Sequence, residues 1–546
     1  MTVSQGYKEI AQQKLAERDA KFFPEWLVPE DDLPSTDLMD VTGWLADTKY
    51  LLDLEKEITT SDAPTIVSNI RNRKWTCLEV TKAFCHRSSI AHQLVNCLTE
   101  IFYDEAIARA EELDKFQEET GTTLGPFHGL PISLKDNFNV NGHASTVGIV
   151  KYSFEKMTED AVLVGLLREQ GAIFYVKTNV PVAMMMPEST NHIWGTTVNP
   201  LNRNLSAGGS SGGEAALLAL HGLPLGLGTD IGGSIRIPAS FQNLFALKPT
   251  LGRFPTYGCR AGLPGLELVS SINGPMTTSL TTLDYYCKNI LTLEPWYHDP
   301  NSVALPWRTV DVPGKLNIAI LEDDLVVRPT PPIRRGLKIV RDALTEAGHT
   351  VIDWVPEDHL RLSQIITAFF LSDGGDHVLK ETRATGEALF PYMKMYGQCK
   401  DLPTLELRAL HVERTALAKK FLDRWRATKN VTGNGRPIDV IIAPTTPFPG
   451  SVVGKFGNHV GYTSPFNALN FSVGILPVTR AHQDLDPADA EPAGHNEGDI
   501  QTWADYNSTE SHGGAVALQV VGQKFEEEKV VEIMKVISEL IDKKQT

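Results

Sequence analysis

Ser206-Ala-Gly-Gly-Ser-Ser-Gly-Gly-Glu-Ala-Ala-Leu-Leu-Ala-Leu220, followed by Leu225-Gly-Leu-Gly-Thr-Asp-Ile-Gly-Gly-Ser-Ile-Arg-Ile-Pro-Ala239, decides how this chain is read. Two glycine-serine turns flank one helix-like and one strand-like segment. Glycine at this density costs backbone entropy, so it needs a reason. The usual one is a set of backbone N–H groups presented to an anion or to a developing oxyanion.

Four readings compete. A phosphate loop requires G-x-x-x-x-G-K-[ST], and no lysine follows either glycine run. Gly226-x-Gly-x-x-x-Gly232 comes near a dinucleotide fingerprint. That motif opens a helix, whereas Ser234-Ile-Arg-Ile-Pro238 is β-branched and meets a proline at once. Gly208-Gly-Ser210-Ser-Gly212 satisfies the G-x-S-x-G elbow and would make Ser210 the nucleophile of an α/β-hydrolase-type esterase. It demands a downstream acid and histidine for which the chain offers no clear context. The fourth reading uses both turns together, with Ser210 and Ser234 24 residues apart in one site.

Working outward, short apolar runs bounded by Gly, Pro and Asn alternate with helical periods: Leu130 to Leu134, Asp160 to Gln170, Ala172 to Lys177. That is the α/β pattern. Upstream, Tyr7 to Phe23 and Ala63 to about Gln117 read as helical; Pro249 to about Trp307 reads as irregular. Strand–helix–strand alternation resumes at Leu316, Lys380 to Ala427 reads as largely helical, Val440 and Val473 open central strands, and Glu526 to Lys543 forms a closing helix. Ala481 to Gln523 holds eight acidic residues and no Lys or Arg, and its part through Ser511 reads as a solvated loop. No repeat or clean linker divides the chain.

Of 546 residues 42% are hydrophobic and 22% charged, a globular composition. The formal charge of −16 argues against a nucleic-acid binder, which needs a basic face. Six scattered cysteines without a C-x-x-C pair argue against zinc or a disulfide framework and favour a reducing compartment. The polar stretch Met1 to Lys21 is no secretory signal, and Ala215 to Gly228 is too short and interrupted to span a membrane. The expectation is a cytoplasmic protein that binds neither nucleic acid nor membrane; a homodimer is left open. No H-E-x-x-H occurs, and His411-Val-Glu413 lacks the P-C-x-x-C of zinc deaminases, so no metal is expected.

The two turns, with Lys135 in Leu130-Pro-Ile-Ser-Leu-Lys-Asp136, strongly resemble the amidase signature. The likeness extends through Val176-Lys-Thr-Asn-Val-Pro181 and Phe245-Ala-Leu-Lys-Pro-Thr250 and resumes at Gly513-Gly-Ala-Val-Ala-Leu-Gln-Val-Val-Gly522. Within the family it is similar to fungal acetamidase-type general amidases, through details at Asn96-Cys97, Glu294-Pro-Trp296 and Ala347-Gly-His-Thr-Val351. The resemblance implies one large α/β/α sandwich with a mixed, mostly parallel sheet. Residues 1–60 would be a helical extension packed on a signature domain over 61–546, its core about 125–275.

It also implies a cofactor-free hydrolase of small carboxylic amides, with esters and carbamates as further candidates. Ser234 would be the nucleophile, Ser210 a relay after a cis peptide with Gly209, and Lys135 the base. The N–H groups of Ile231, Gly232, Gly233 and Ser234 would form the oxyanion hole, with Met184, Met185, Gly209 and Ser210 at the substrate. Amides need all three provisions: an activated nucleophile, an oxyanion site and a proton for the amine. A solvated lysine is protonated at pH 7, so Lys135 must be buried to act as a base.

Plainer roles stand beside these. Ser211 and Glu214 form an S-x-x-E capping box. Asp230 and Arg236 would pair to fix the second turn, Thr229 would support the relay, and Trp194 and Tyr257 would pack. The ammonia-supplying glutaminase subunit of a tRNA amidotransferase carries the same signature and is the rival function.

Overall fold

The computed structural model describes residues 6–456, 459–488 and 494–545. An eleven-stranded sheet organises them. Its strands in chain order are β1 Leu98–Ile101, β2 Pro131–Lys135, β3 Ile173–Thr178, β4 Gly226–Asp230, β5 Phe245–Lys248 and β6 Ile272–Thr277. Then come β7 Asn317–Ile320, β8 Thr350–Asp353, β9 Val440–Pro444, β10 Val473–Arg480 and β11 Ala515–Val521. The spatial order is β1-β3-β2-β4-β6-β5-β10-β11-β9-β7-β8.

The fold is the expected α/β class with a mixed sheet. Parallel pairing joins β3-β2-β4 and β9-β7-β8, where helices provide the crossovers. The six remaining pairings are antiparallel and occupy the middle and one edge. The alternation of elements fixed the parallel runs; the antiparallel ones depend on strands that the sequence hid. One is β6, inside the stretch read as irregular, which also holds the helix Leu280–Leu291. Another is β1, which interrupts the run read as helical after Asn96 adopts a left-handed conformation (φ 54°).

Helices cover both faces. Five matter below: α1 Tyr7–Asp19, α2 Gly212–Ala219, α3 Arg236–Phe241, α4 His359–Phe370 and α5 Glu527–Gln545. Alternate residues of one strand serve opposite layers, as the pleat requires. Val440 and Ile442 belong to the same buried cluster as Val530 and Met534 of α5, while Ile441 and Ala443 belong to the cluster that holds Ile365 and Phe369 of α4. Strands buried on both faces are apolar throughout, which is why β9 and β10 were legible. Residues Phe22, Val41, Leu51 and Ile58 of the amino-terminal segment enter the same core.

Three local expectations are corrected. Arg236–Phe241 is a helix despite Pro238, because that proline sits in the first turn, where no intrahelical N–H bond is required. The acidic segment is not all solvated: Glu497–Asp505 is a helix, and Asp486 and Asp499 are buried against Arg335 and Arg328. Its residues 489–493 lie outside those described. Lys380 to Ala427 is not one helical run: α-helix covers Asp376–Arg383 and Thr404–Ala427, with a single 3-10 turn at Pro391–Met393 between them. Among the described residues no helix is long and apolar enough to cross a membrane.

Candidate active site

The site forms where β2 and β4 end side by side. They run parallel, with Leu134 opposite Leu227, so Lys135 at the end of one strand reaches Thr229 near the end of the other. Carboxyl ends of parallel strands are the usual place for such a crevice. The first turn leads from the short strand Asn202–Ser206 into α2, and the second turn leads from β4 into α3. Ser211 N–H donates to Ser234 C=O at 3.1 Å, so the two turns are tied directly.

Lys135 is fully buried. Its Nζ donates to Ser210 Oγ at 2.7 Å, to Thr229 Oγ1 at 2.7 Å and to Thr229 C=O at 3.3 Å. Burial pushes its ammonium down to about 7, against the opposing pull of Asp230 and Glu214. A lysine so placed is free to be neutral near pH 7 and to take a proton. Ser210 is buried and follows a cis peptide with Gly209. A side chain at Gly209 would put its Cβ 2.6 Å from both Met186 C=O and Glu188 N. Only glycine fits there.

Asp230 and Arg236 build the second turn. Asp230 accepts from Gly233 N–H at 2.9 Å, from Ile235 N–H at 3.1 Å and from Arg236 Nε at 3.0 Å. Burial opposes its charge, but the Arg236 guanidinium holds the carboxyl well below the usual range. Arg236 in turn donates to Thr463 C=O and to Gln519 Oε1, both at 2.9 Å, and to Asn467. Gly233 has φ of +141°, and a Cβ there would meet Thr463 Oγ1 at 2.6 Å.

The donation from Gly233 to Asp230 sharpens the oxyanion expectation. Of the four N–H groups, those of Ile231, Gly232 and Ser234 have no acceptor among the described residues, whereas the Gly233 N–H is engaged. Ile231, Gly232 and Ser234, which carry these three N–H groups, all line the same cavity.

Two cavities meet at Ser234, and both are lined by Met184, Met185 and Ile231. The first is apolar, with Ile237, Phe370, Tyr392 and Tyr396 in its wall, and encloses about 810 Å³ including its open mouth. The second is more polar, with Asn137, Thr256, Ser270 and Asn273 beside Leu263 and Leu266. Gly232 and Gly233 line only the first; Ser210 and Thr229 line only the second. Ala183 and Met184 adopt positive φ (53° and 58°), a backbone uncommon for non-glycine residues and concentrated at functional segments.

The capping-box reading of Ser211 and Glu214 is overturned. Ser211 makes no cap; its Oγ donates to Thr229 C=O at 3.4 Å. Gly212 N–H at the start of α2 is capped instead by Ser189 Oγ at 3.0 Å. Glu214 turns inward, accepting from Ser133, Thr178 and Leu227 N–H, and so pins α2 across β2, β3 and β4. Burial raises its carboxyl to about 7. Trp194 is buried as expected, but Tyr257 is 60% exposed and packs in no core. Sequence reasoning also missed the parts played by Ser189, Thr463, Asn467 and Gln519; the last three lie far along the chain, and only Gln519 falls in a stretch quoted for the resemblance.

Fold and glycine-turn site together define an enzyme that cleaves amide C–N bonds. The chain matches the amidase family over residues 79–531 and belongs to it. It is 39% identical to a putative amidase, kk1C, of Curvularia clavata, over 98% of each chain. It is 37% identical to an acetamidase of Emericella nidulans, again over 98% of each. Among solved structures, fatty acid amide hydrolase superposes with a TM-score of 0.93 at 30% identity, covering 98% of this chain and 95% of that one. The resemblance read from the two turns is thereby confirmed, and the protein is an amide hydrolase.

Proposed function

We propose that the protein hydrolyses small carboxylic amides through an acyl-Ser234 intermediate, with Ser210 and Lys135 as its proton relay. The observation that carries this reading is Lys135 Nζ, buried, lowered to about 7 and 2.7 Å from Ser210 Oγ. Neutral Lys135 takes the Ser210 proton while Ser210 takes that of Ser234, whose oxygen attacks the amide carbon. Carbonyl electrons move to oxygen, which the N–H groups of Ile231, Gly232 and Ser234 receive. One such donor is worth roughly 3–4 kcal/mol at a developing oxyanion. The relay then reverses: Lys135 returns a proton through Ser210 to nitrogen, the C–N bond breaks and the amine leaves. Water repeats the sequence to free the acid.

The cavities orient the substrate. Ser210 delivers the proton to the leaving nitrogen and lines only the polar cavity, so the amine belongs there. The acyl group then faces the apolar cavity with Met184 and Met185, whose thioethers adapt to varied shapes. Esters and carbamates satisfy the same geometry. We also assign the protein to the cytoplasm, a reading supported by six unpaired cysteines.

Neither rival has comparable support. Among the described residues no histidine lines the cavity at Ser210 or the one beside it, as an esterase triad would require. End-to-end similarity to an acetamidase favours an amide hydrolase over an amidotransferase subunit. The test is turnover of acetamide by purified Ser234→Ala. Near-normal activity would sink the proposal; loss of activity with the fold retained supports it.

A further inference from the structure

Three ring contacts run from the amino-terminal helix to the wall of the apolar cavity. Tyr7, the first residue of α1, meets His192 edge-on with centroids 5.2 Å apart. His192 stacks on Phe390 at 4.3 Å with the planes 15° apart. Phe390 stacks on Tyr392 at 5.3 Å with the planes 2° apart. Tyr392 lines the cavity and belongs to the same apolar cluster as Met184 and Met185.

Polar contacts fasten the same stretch from outside. Tyr7 N–H donates to Thr385 C=O at 3.0 Å, and His192 Nε2 lies 2.9 Å from Ala388 C=O. Val150 N–H donates to the Glu387 carboxylate at 2.9 Å. Tyr392 itself has no such fastening: its hydroxyl is buried and without a hydrogen-bond partner among the described residues. The position of its ring is therefore left to stacking and apolar packing.

We propose that Tyr7, His192 and Phe390 are positioning residues that set acyl-chain selectivity by holding Tyr392 in the cavity wall. This rests on the reading that the apolar cavity takes the acyl group. None of the three touches the reacting atoms, so the effect is confined to substrates whose chains reach Tyr392. Losing one link lets the wall yield. An acetyl group beside Ser234 does not sense that change; a longer chain does.

The test is steady-state kinetics of the full chain on acetamide and on unbranched primary amides from butanamide to octanamide. Active sites are counted with a fluorophosphonate. His192→Ala should change the ratio of kcat/KM for octanamide over acetamide by about three- to tenfold, the scale of one aromatic pair. The change should arise mainly in KM, and His192→Phe, which keeps a stacking ring, should restore the ratio. Tyr7→Ala, removing a half-buried ring, should shift the ratio in the same direction and serves if His192→Ala does not fold.

An unchanged ratio in fully titrating variants overturns the proposal, as does a fall in acetamide turnover that keeps step with the longer amides. Failure of His192→Phe to restore the ratio assigns the effect to the Ala388 contact and also overturns it. If the unaltered protein shows no dependence on acyl length, the acyl assignment of the cavity is wrong and this inference goes with it.

Discussion

Lys135 Nζ lies 2.7 Å from Ser210 Oγ, on a fully buried side chain at the carboxyl end of β2. The same nitrogen is held at 2.7 Å by Thr229 Oγ1, so its direction is fixed. Replacing it tests the relay. Lys135→Met keeps the volume and removes the base, so kcat should fall roughly 10²- to 10⁴-fold, the usual worth of a positioned acid–base group. Circular dichroism and thermal unfolding should show an intact fold. A variant within a factor of about ten in kcat would argue against Lys135 as the base.

Burial gives Lys135 a titration near about 7, and this sets the pH dependence. Below that value the ammonium is protonated and accepts nothing; above it the amine is neutral and able to accept. Activity should therefore fall as pH drops through about 7 and level off above it. The measurement is kcat/KM for acetamide against pH. An acid limb centred near the free-lysine value of about 10.4 would contradict the burial argument.

The Asp230–Arg236 pair holds the second turn, and both partners are fully buried. Asp230→Ala strands the Arg236 charge in the interior and frees the Gly233 N–H that Asp230 accepts. Breaking a buried pair from one side costs about 3–5 kcal/mol. Urea unfolding should show a loss of that order, with activity lost as the turn relaxes. A loss under about 1 kcal/mol would mean that water reaches the pair.

Much of this site was legible because its chemistry is local. The two glycine-serine turns and the 24-residue spacing of Ser210 and Ser234 lie in one continuous stretch. Lys135 was not legible alone; it gained meaning from a family context and from the need for a base. The supports of the turns were hidden, since Thr463, Asn467 and Gln519 reach Arg236 from more than 220 residues away. Glu214 was misread because S-x-x-E is a capping pattern in an exposed helix, whereas α2 is buried and its carboxylate found strand donors instead. In the fold, β9 and β10 announced themselves as apolar runs. β1 was masked by the helical periods on either side, and its pairing with β3 is set by a partner more than 70 residues on.

Gly209 offers a stability test that needs no assay of catalysis. Its Cβ position lies 2.6 Å from Met186 C=O and Glu188 N, both backbone atoms with little room to move. Gly209→Ala should destabilise the protein by about 1–3 kcal/mol through overpacking, read as a lowered Tm. It should also displace Ser210 and reduce kcat. An alanine variant with unchanged Tm and kcat would show that the turn has slack.

The central claim is that Ser234, rather than Ser210, carries the acyl group. The direct measurement is mass-spectrometric mapping of the adduct formed by a fluorophosphonate on the purified protein. The account predicts a single adduct on Ser234, absent in Ser234→Ala. An adduct on Ser210, retained in Ser234→Ala, would contradict it.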